Sequence, residues 1–343
     1  MKYLPYLYSI VLLFLCSCSD DSETLKNEID FSTPYAIVDD PNDPIQHHRY
    51  EIYKEHEVSV YFNDTISRME IGKDFDGNMM YRYETLDLNW QFSSDNHDAV
   101  SYRFVYLTKP EEQEKALRFV DFFVEESSEK MLPFTIFLTD SIVSTNIAGK
   151  YEERPKYMTS FRTLVVSQLQ DLSDDEMKSL VSEILRNMLL SKITENKTLV
   201  DRFGSVSSTD SYYYRYWVNS GSNDGLGCNA EYFGKFWMSP NKFFDEEEIG
   251  YILNTSKWTY EEFEAIRAEM VAEMGQFGFI CGSKNSGATY SPDNVEYDLE
   301  CYINTILEIG KEEFINRYGG SSLVMEKYQL LVDFIEEDLG VAL

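Results

Sequence analysis

The sequence predicts an α+β fold in which a β-rich N-terminal part is followed by a helical C-terminal part. Short runs with strand-like alternation, such as Val58 to Phe62 and Met80 to Tyr83, lie between Tyr50 and Tyr106. From Ser173 onwards, apolar residues recur at three- and four-residue spacing, which is typical of helices. With 343 residues, 43% of them hydrophobic, the chain can bury a substantial core.

The chain begins with features of an exported lipoprotein. One lysine, Lys2, precedes an apolar run that ends at Leu15; this run is too short to span a membrane and is typical of a secretory signal peptide. The next three residues complete a segment that resembles a bacterial lipobox. Cys18 is the predicted acylated residue because the small Ser17 precedes it, whereas the competing Cys16 follows a bulky leucine.

These features divide the chain into three parts. We expect a signal peptide at residues 1–17, an acidic flexible tether at 18–46 and a single domain at 47–343. The acidic residues 19–23 look like the signal that sends Bacteroidetes lipoproteins to the outer face of the outer membrane. The protein is therefore expected on the cell surface, held in the outer membrane by its lipid anchor.

The first half of the domain is predicted to contain strands with one intervening helix. Asp74 to Asn78 contains Asp-Gly and predicts a hairpin turn. Pro110 is predicted to open a helix with an apolar stripe. Phe134 to Leu138 and Phe161 to Val166 are predicted to be buried strands.

The longest predicted helix runs from Ser173 to Thr194. Ser173 and Glu176 form a capping box, in which the hydroxyl and the carboxylate accept hydrogen bonds from free backbone N–H groups. A wide apolar face follows, so this helix should pack against the rest of the fold. It contains no histidine.

Three further helices are predicted after it. Thr259 and Glu262 form a second capping box, Ser291-Pro292 starts the next helix, and a final helix runs from Ser321 to about Asp338. Before them, Tyr214, Tyr216 and Trp217 belong to an aromatic cluster that could stack on sugar rings, although such clusters are also common in partly buried structure.

The overall charge excludes one class of partner. Sixty acidic residues against thirty basic ones give a formal charge of −30, which repels the phosphates of nucleic acids. Outside the signal region the chain has Cys228, Cys281 and Cys301, so at most one internal disulfide is expected. Cys301 lies in an apolar helical pattern, which indicates a buried free thiol.

Five segments of the domain follow the order of parts of one family. They are Glu51 to Phe62, Thr108 to Pro110, Gly278 to Cys281, Ser291 to Tyr302 and Met325 to Gly340. With the lipoprotein start, they resemble the substrate-import-associated zinc metallohydrolase lipoproteins of Bacteroidetes, which are related to zinc-binding metallopeptidases found beside SusC/SusD-type nutrient importers. The resemblance covers nearly the whole chain and implies a zincin-like metallopeptidase fold with an opening strand at Glu51 to Phe62.

The chain departs from this family at the residues that carry the chemistry. The HExxH motif of the family corresponds best to residues 186–190, so Arg186 and Leu190 replace the two zinc ligands and Asn187 replaces the general base. The third ligand is a glutamate whose counterpart is ambiguous between Glu296, Leu299 and Glu300. A guanidinium is a cation that does not donate to zinc, so zinc and catalysis are expected to be lost.

The sequence therefore indicates a binding protein with a degenerate metallopeptidase-like fold. We expect it to assist a SusC/SusD-type transporter and to bind a peptide or a glycan, without cofactor or nucleic acid. One alternative is an active metallohydrolase that holds a metal through Glu183, Glu296 and Glu300, which measurement of the bound metal would distinguish. Another is a glycan-binding accessory lipoprotein that uses the aromatic cluster.

Overall fold

Strands occupy the first half of the described chain, and helices dominate the second. The computed structural model describes residues 36–86, 88, 100–146, 151–160, 162–207, 212–219, 224–233, 246–285 and 289–343. The strands are β1 (Ser59–Tyr61), β2 (Thr65–Lys73), β3 (Met79–Thr85), β4 (Val100–Tyr106), β5 (Thr135–Asn146), β6 (Glu152–Glu153), β7 (Tyr157–Thr159) and β8 (Thr163–Val166). This mixed α/β structure is compatible with the predicted α+β class.

The helices bear out most of the predicted helical segments. They are α1 (Pro44–His56), α2 (Pro110–Glu126), α3 (Asp174–Glu195), α4 (Lys197–Val206), α5 (Ala230–Phe233), α6 (Glu246–Ser256), α7 (Tyr260–Gly275), α8 (Val295–Tyr318) and α9 (Ser322–Asp333). Both predicted capping boxes are confirmed, one at the start of α3 and one at the start of α7. A π-helical turn extends α9 to Asp338, as predicted.

The main sheet is organised around β5, which changes partners along its length. Its first half pairs in parallel with β1 and β8, so that Ile136 lies between Val60 and Leu164. Its second half pairs in antiparallel fashion with β4 and β6. β7 pairs antiparallel with β8 and ends the strand order at one edge of the sheet.

The strand β2 pairs with β3 in a separate two-stranded hairpin. Its turn contains Gly77 at φ +85°, and the backbone N–H of Asp74 donates to the carbonyl of Asn78 at 2.9 Å. An L-residue with a side chain rarely adopts such a φ, so glycine suits this position. The predicted hairpin turn is confirmed.

One hydrophobic cluster joins the sheet to α2 and α3. This cluster contains the buried strand residues Val60, Ile136 and Val166, together with Phe119 of α2 and Ile184 of α3. The two predicted buried strands are confirmed as the start of β5 and as β8, although Phe134 is 41% exposed. Phe161, the first residue of the second predicted strand, lies outside the described residues. The apolar face of α3 therefore faces the sheet, which leaves its polar face for other contacts.

A second cluster lies among the C-terminal helices. It includes Phe203 of α4, Tyr302 and Phe314 of α8, and Leu331 of α9. Helix α8 is interrupted at Gly310, which adopts a φ of +75° that a helix cannot continue. The residues from Ile37 to Leu343 group as one unit.

Regular secondary structure begins earlier in the chain than predicted, and the first half of one predicted strand is helical. Asp43 caps α1 by accepting hydrogen bonds from two backbone N–H groups, and Pro44 occupies its first turn. The helix therefore starts three residues before His47 and continues to His56. The expected opening strand at residues 51–62 is reduced to β1, because its first half belongs to this helix.

The start of α8 also differs from the prediction. Ser291 does not cap the helix; its buried hydroxyl donates to the carbonyl of Tyr212 at 2.6 Å and accepts from the N–H of Arg215 at 2.9 Å. Asn294 caps α8 instead, through an N–H···O contact of 2.8 Å from Tyr297. The helix therefore starts at Val295, and Ser291 makes tertiary contacts instead of capping it.

Several predictions concern residues outside the described ranges. The signal peptide, Cys16, Cys18 and the acidic segment 19–23 all lie there. Among the described helices, none has the length and apolar composition that a membrane span requires. Cys228, Cys281 and Cys301 are buried free thiols, so the prediction for Cys301 is confirmed.

Candidate functional site

The polar face of α3 lies opposite the first turns of α8 and close to the edge strand β7. The capping box sets the start of α3: the Ser173 hydroxyl accepts from the Glu176 N–H at 3.3 Å, and the Glu176 carboxylate accepts from the Ser173 N–H at 2.7 Å. The polar face of the helix then presents Glu183, Arg186 and Asn187, all exposed. These positions form the floor of the candidate site.

Arg186 and Asn187, which the resemblance would place at an HExxH motif, make hydrogen bonds across this floor. The Arg186 guanidinium donates two hydrogen bonds to Oδ1 of Asn304 on α8, at 3.0 and 2.7 Å. The Asn187 amide donates to the hydroxyl of Tyr157 on β7. Arg186 and Asn187 thus connect α3 to α8 and to the edge strand.

A carboxylate completes the contact with the edge strand. The Tyr157 hydroxyl donates to Oε1 of Glu183 at 3.2 Å, and burial raises the pKa of that phenol. The hydroxyl therefore links Glu183 and Asn187, which lie one helical turn apart. Tyr157 was missed by the sequence analysis, because only the sheet register brings it to α3.

The third aligned residue, Leu190, lies at a separate cavity. This cavity has a volume of about 400 Å³ and is lined by Leu190, Thr194, Lys284, Asp293, Asn294, Glu296, Tyr297 and Glu300. The structure thus brings Leu190 together with both Glu296 and Glu300. Asp293 shapes the rim, accepting from the Ser283 hydroxyl at 2.9 Å and from the Lys284 N–H at 2.8 Å.

The residues at the aligned positions do not fit zinc. Zinc in proteins takes imidazole, thiolate or carboxylate donors, whereas here a guanidinium, an amide and an aliphatic side chain occupy the three positions. Glu183 contacts Tyr157, whereas Glu296 and Glu300 line the cavity beside Leu190. Within the described ranges, no three His, Cys, Asp or Glu side chains form a group that could hold a metal ion.

The edge strand offers backbone hydrogen-bonding groups next to this floor. Backbone bonds to the β8 side are made at both ends of β7: Ser160 N–H donates to the Thr163 carbonyl and Ser167 N–H to the Lys156 carbonyl. Antiparallel ladders alternate, so the N–H and C=O groups of Tyr157 and Thr159 point away from β8. In the described sheet β7 has no strand on that side.

The aromatic cluster divides into a buried and an exposed part. Trp217 is fully buried against Phe233 and Phe279, so its prediction as a ligand-binding residue is wrong. Tyr214 is 59% exposed and stacks on Tyr290 with 4.9 Å between ring centroids and 11° between ring planes.

The ring of Tyr216 also contacts the ring of Tyr290. Their ring centroids are 4.3 Å apart, and the hydrogen bond between the two hydroxyl groups raises the pKa of Tyr290 to about 12. We call Tyr214, Tyr216 and Tyr290 the tyrosine patch. Tyr290 was missed by the sequence analysis, because an isolated bridge between Tyr216 and Tyr290 joins segments far apart in the chain.

A buried ion pair connects α8, which contributes residues to the candidate site, to α9. Nζ of Lys327 donates to Oδ2 of Asp298 at 2.6 Å, and both side chains are fully buried. The Tyr213 hydroxyl donates to the same oxygen at 3.0 Å. Lys327 also lies 4.7 Å from the ring centroids of both Phe203 and Phe279.

Burial dominates the ionisation of this pair. It raises the pKa of Asp298 and lowers that of Lys327, and their mutual contact opposes both shifts. The Asp298 carboxylate keeps one oxygen, Oδ1, buried without a hydrogen bond within the described chain. Because Asp298 follows Glu296 on the first turns of α8, this anchor fixes the helix that carries the acidic residues of the cavity.

Comparisons with known proteins identified no relative. A scan against protein-family models found no match, and neither a search of curated proteins nor a search of solved structures found a similar one.

Proposed function

We propose that this chain is a non-catalytic binding protein with a degenerate zincin-like fold, displayed as an outer-membrane lipoprotein and accessory to a SusC/SusD-type nutrient-uptake system. The observation that carries the proposal is the polar floor of α3, where Arg186 and Asn187 form hydrogen bonds at the positions aligned with a metal ligand and a general base. Such side chains can hold a ligand but cannot activate water on zinc.

The edge strand favours an extended peptide as the ligand. A peptide strand can pair with the outward N–H and C=O groups of Tyr157 and Thr159, which is the general mode of β-strand addition. Its side chains would then lie beside the floor of α3, where Glu183 and Asn187 contact the Tyr157 hydroxyl. Because Tyr157 itself pairs with the peptide, the polar groups of these two residues would set the register of the peptide along β7.

A substitution on the edge strand tests this proposal. Thr159→Pro removes one outward N–H, so affinity for a bound peptide should fall by about 2- to 12-fold, the effect of one net hydrogen bond of about 0.5–1.5 kcal/mol. Thr159→Val keeps the N–H and should bind like the wild type. The measurement is fluorescence anisotropy with labelled peptides from a casein digest.

Two results would contradict the proposal. One is equal affinity of Thr159→Pro and Thr159→Val, with both variants folded. The other is the release of cleavage products from the peptides, detected by mass spectrometry, because a non-catalytic protein leaves them intact.

The tyrosine patch supports a second candidate, binding of a glycan. Tyr214 exposes a flat ring beside Tyr290, and sugar rings stack on such surfaces. Asp293, which lines the acidic cavity, is only three residues after Tyr290. One glycan could therefore contact both the patch and the polar groups of the cavity.

Removal of an exposed ring tests the glycan hypothesis. Tyr214→Ala should weaken binding to a responsive polysaccharide by roughly 2- to 12-fold, since a ring contact contributes about 0.5–1.5 kcal/mol. Tyr83→Ala removes an equally exposed tyrosine, 56% exposed, from β3 of the separate hairpin and serves as the matched control. Affinity electrophoresis on a polysaccharide panel makes the comparison, and equal retardation of both variants would exclude the patch.

A further inference from the structure

A second cavity lies between α7, the end of α8 and the start of α9. Its volume is about 620 Å³, within the range of pockets that hold small molecules. Small residues line it from two sides, Ala268 and Ala272 on α7 and Gly320 before α9. It shares no lining residue with the cavity of the candidate site.

Two arginines line this cavity in a chain whose formal charge is −30. The Arg267 side chain is 15% exposed and contacts Glu264 at 3.4 Å, and the Arg317 side chain is 26% exposed and contacts Glu313 at 3.1 Å. Both glutamates belong to the same helices as their arginines and are more exposed than them. Glu264 and Glu313 line the cavity as well, so two arginines balance two glutamates there, in contrast to the excess of acidic residues in the whole chain.

A buried phenol also lines this cavity. Tyr318 is 3% exposed, and its hydroxyl makes no hydrogen bond of ordinary geometry within the described chain. Burial raises its pKa to about 12, and the charges of Arg317 and Arg267 both counteract that rise. All three residues line the same cavity.

The N-terminus of α9 adds backbone donors to the same cavity. Ser321 caps this twelve-residue helix by accepting from the Val324 N–H at 3.4 Å. The N–H groups of Ser322 and Leu323 have no intrahelical acceptor, because they belong to the first turn. Both residues line the cavity, and the helix dipole favours a negative charge at this end.

We propose that this cavity binds a small solute through an oxyanion, a carboxylate, phosphate or sulfate group. Arg267 and Arg317 supply charge-assisted hydrogen bonds, and Tyr318 and the start of α9 supply neutral donors. The remaining volume accommodates the body of the solute. This site is independent of the peptide or glycan site of the proposed function.

The decisive variants are at Gly320. A Cβ atom built there meets no atom within 4 Å, so a short side chain fits without displacing neighbours. Gly320→Asp introduces a negative charge into the cavity, whereas Gly320→Asn introduces an amide of nearly the same size and no charge. The protein from residue 19 to residue 343 is titrated by calorimetry with inorganic phosphate, a sugar phosphate and a dicarboxylate. The ionic strength is held constant with chloride.

The expected result is saturable binding of at least one of these probes to the wild type and to Gly320→Asn. Gly320→Asp should lose at least tenfold in affinity, and Arg267→Gln should lose a similar factor. Preference for the phosphates or for the dicarboxylate then identifies the oxyanion. Absence of saturable binding for all three probes, or equal affinity of the Asp and Asn variants, would overturn the proposal.

Discussion

Replacing Lys327 by methionine is expected to destabilise the fold by about 3–5 kcal/mol, because the change leaves a buried carboxylate without its cation. Asp298 is fully buried and already has one oxygen without a hydrogen bond. Among the described residues, the Tyr213 hydroxyl would then be the remaining hydrogen-bond donor to this carboxylate. Equilibrium unfolding in urea, followed by tryptophan fluorescence, measures the loss.

Two further variants separate the buried charge from the loss of packing. In the double variant with Asp298→Leu the charge is absent, so a large part of the stability should return. Lys311→Met breaks an ion pair with Glu336, 2.8 Å long and about one-third exposed, and should cost less than about 1 kcal/mol. A cost for Lys327→Met as small as that for Lys311→Met would contradict the role assigned to the buried pair.

The second large effect is expected for Trp217→Ala, at about 3–5 kcal/mol of unfolding free energy. The indole is fully buried, with its ring centroid 5.3 Å from that of Phe233 and 6.1 Å from that of Phe279. Alanine leaves a cavity that these rings fill only in part. The substitution should therefore lower the midpoint of urea unfolding and leave glycan affinity per folded molecule unchanged.

Tyr214→Ala is the matched control, since it removes a neighbouring aromatic ring that is exposed. A surface substitution of this kind usually changes stability by less than about 0.5 kcal/mol. If Trp217→Ala is as stable as Tyr214→Ala, the indole does not contribute to the core as the structure indicates. Trp217 is thus a probe of folding, whereas Tyr214 is the probe of binding.

Local sequence signals predicted much of the fold. These signals are the two capping boxes, the proline that opens α2 and the Asp-Gly turn between β2 and β3. Each acts within a few residues, so it can be recognised in the sequence without knowledge of tertiary contacts. The same kind of signal was present at Asp43-Pro44, yet it was assigned to the tether because the surrounding composition is acidic. The start of α1 could therefore have been predicted from the sequence.

The candidate site was predictable only in part. The alignment of Arg186, Asn187 and Leu190 placed them on one helix, and their spacing puts them on neighbouring turns of it. Their partners could not be found in the same way. Asn304 lies 118 residues from Arg186 and Tyr157 lies 30 residues from Asn187, and no local rule connects such distances.

By itself, the sequence determined that a strand-rich part precedes a helical part, the polar face of α3 and the lack of histidines on it, because these depend on residue type and short-range spacing. Only the tertiary structure decided which aromatic residues are buried, where α8 begins and which charges meet. Trp217 and Tyr214 are three residues apart in one cluster, yet one is in the core and the other at the surface. Burial is a property of the packed chain, since it depends on what distant segments, such as the one with Tyr290, place against each side chain.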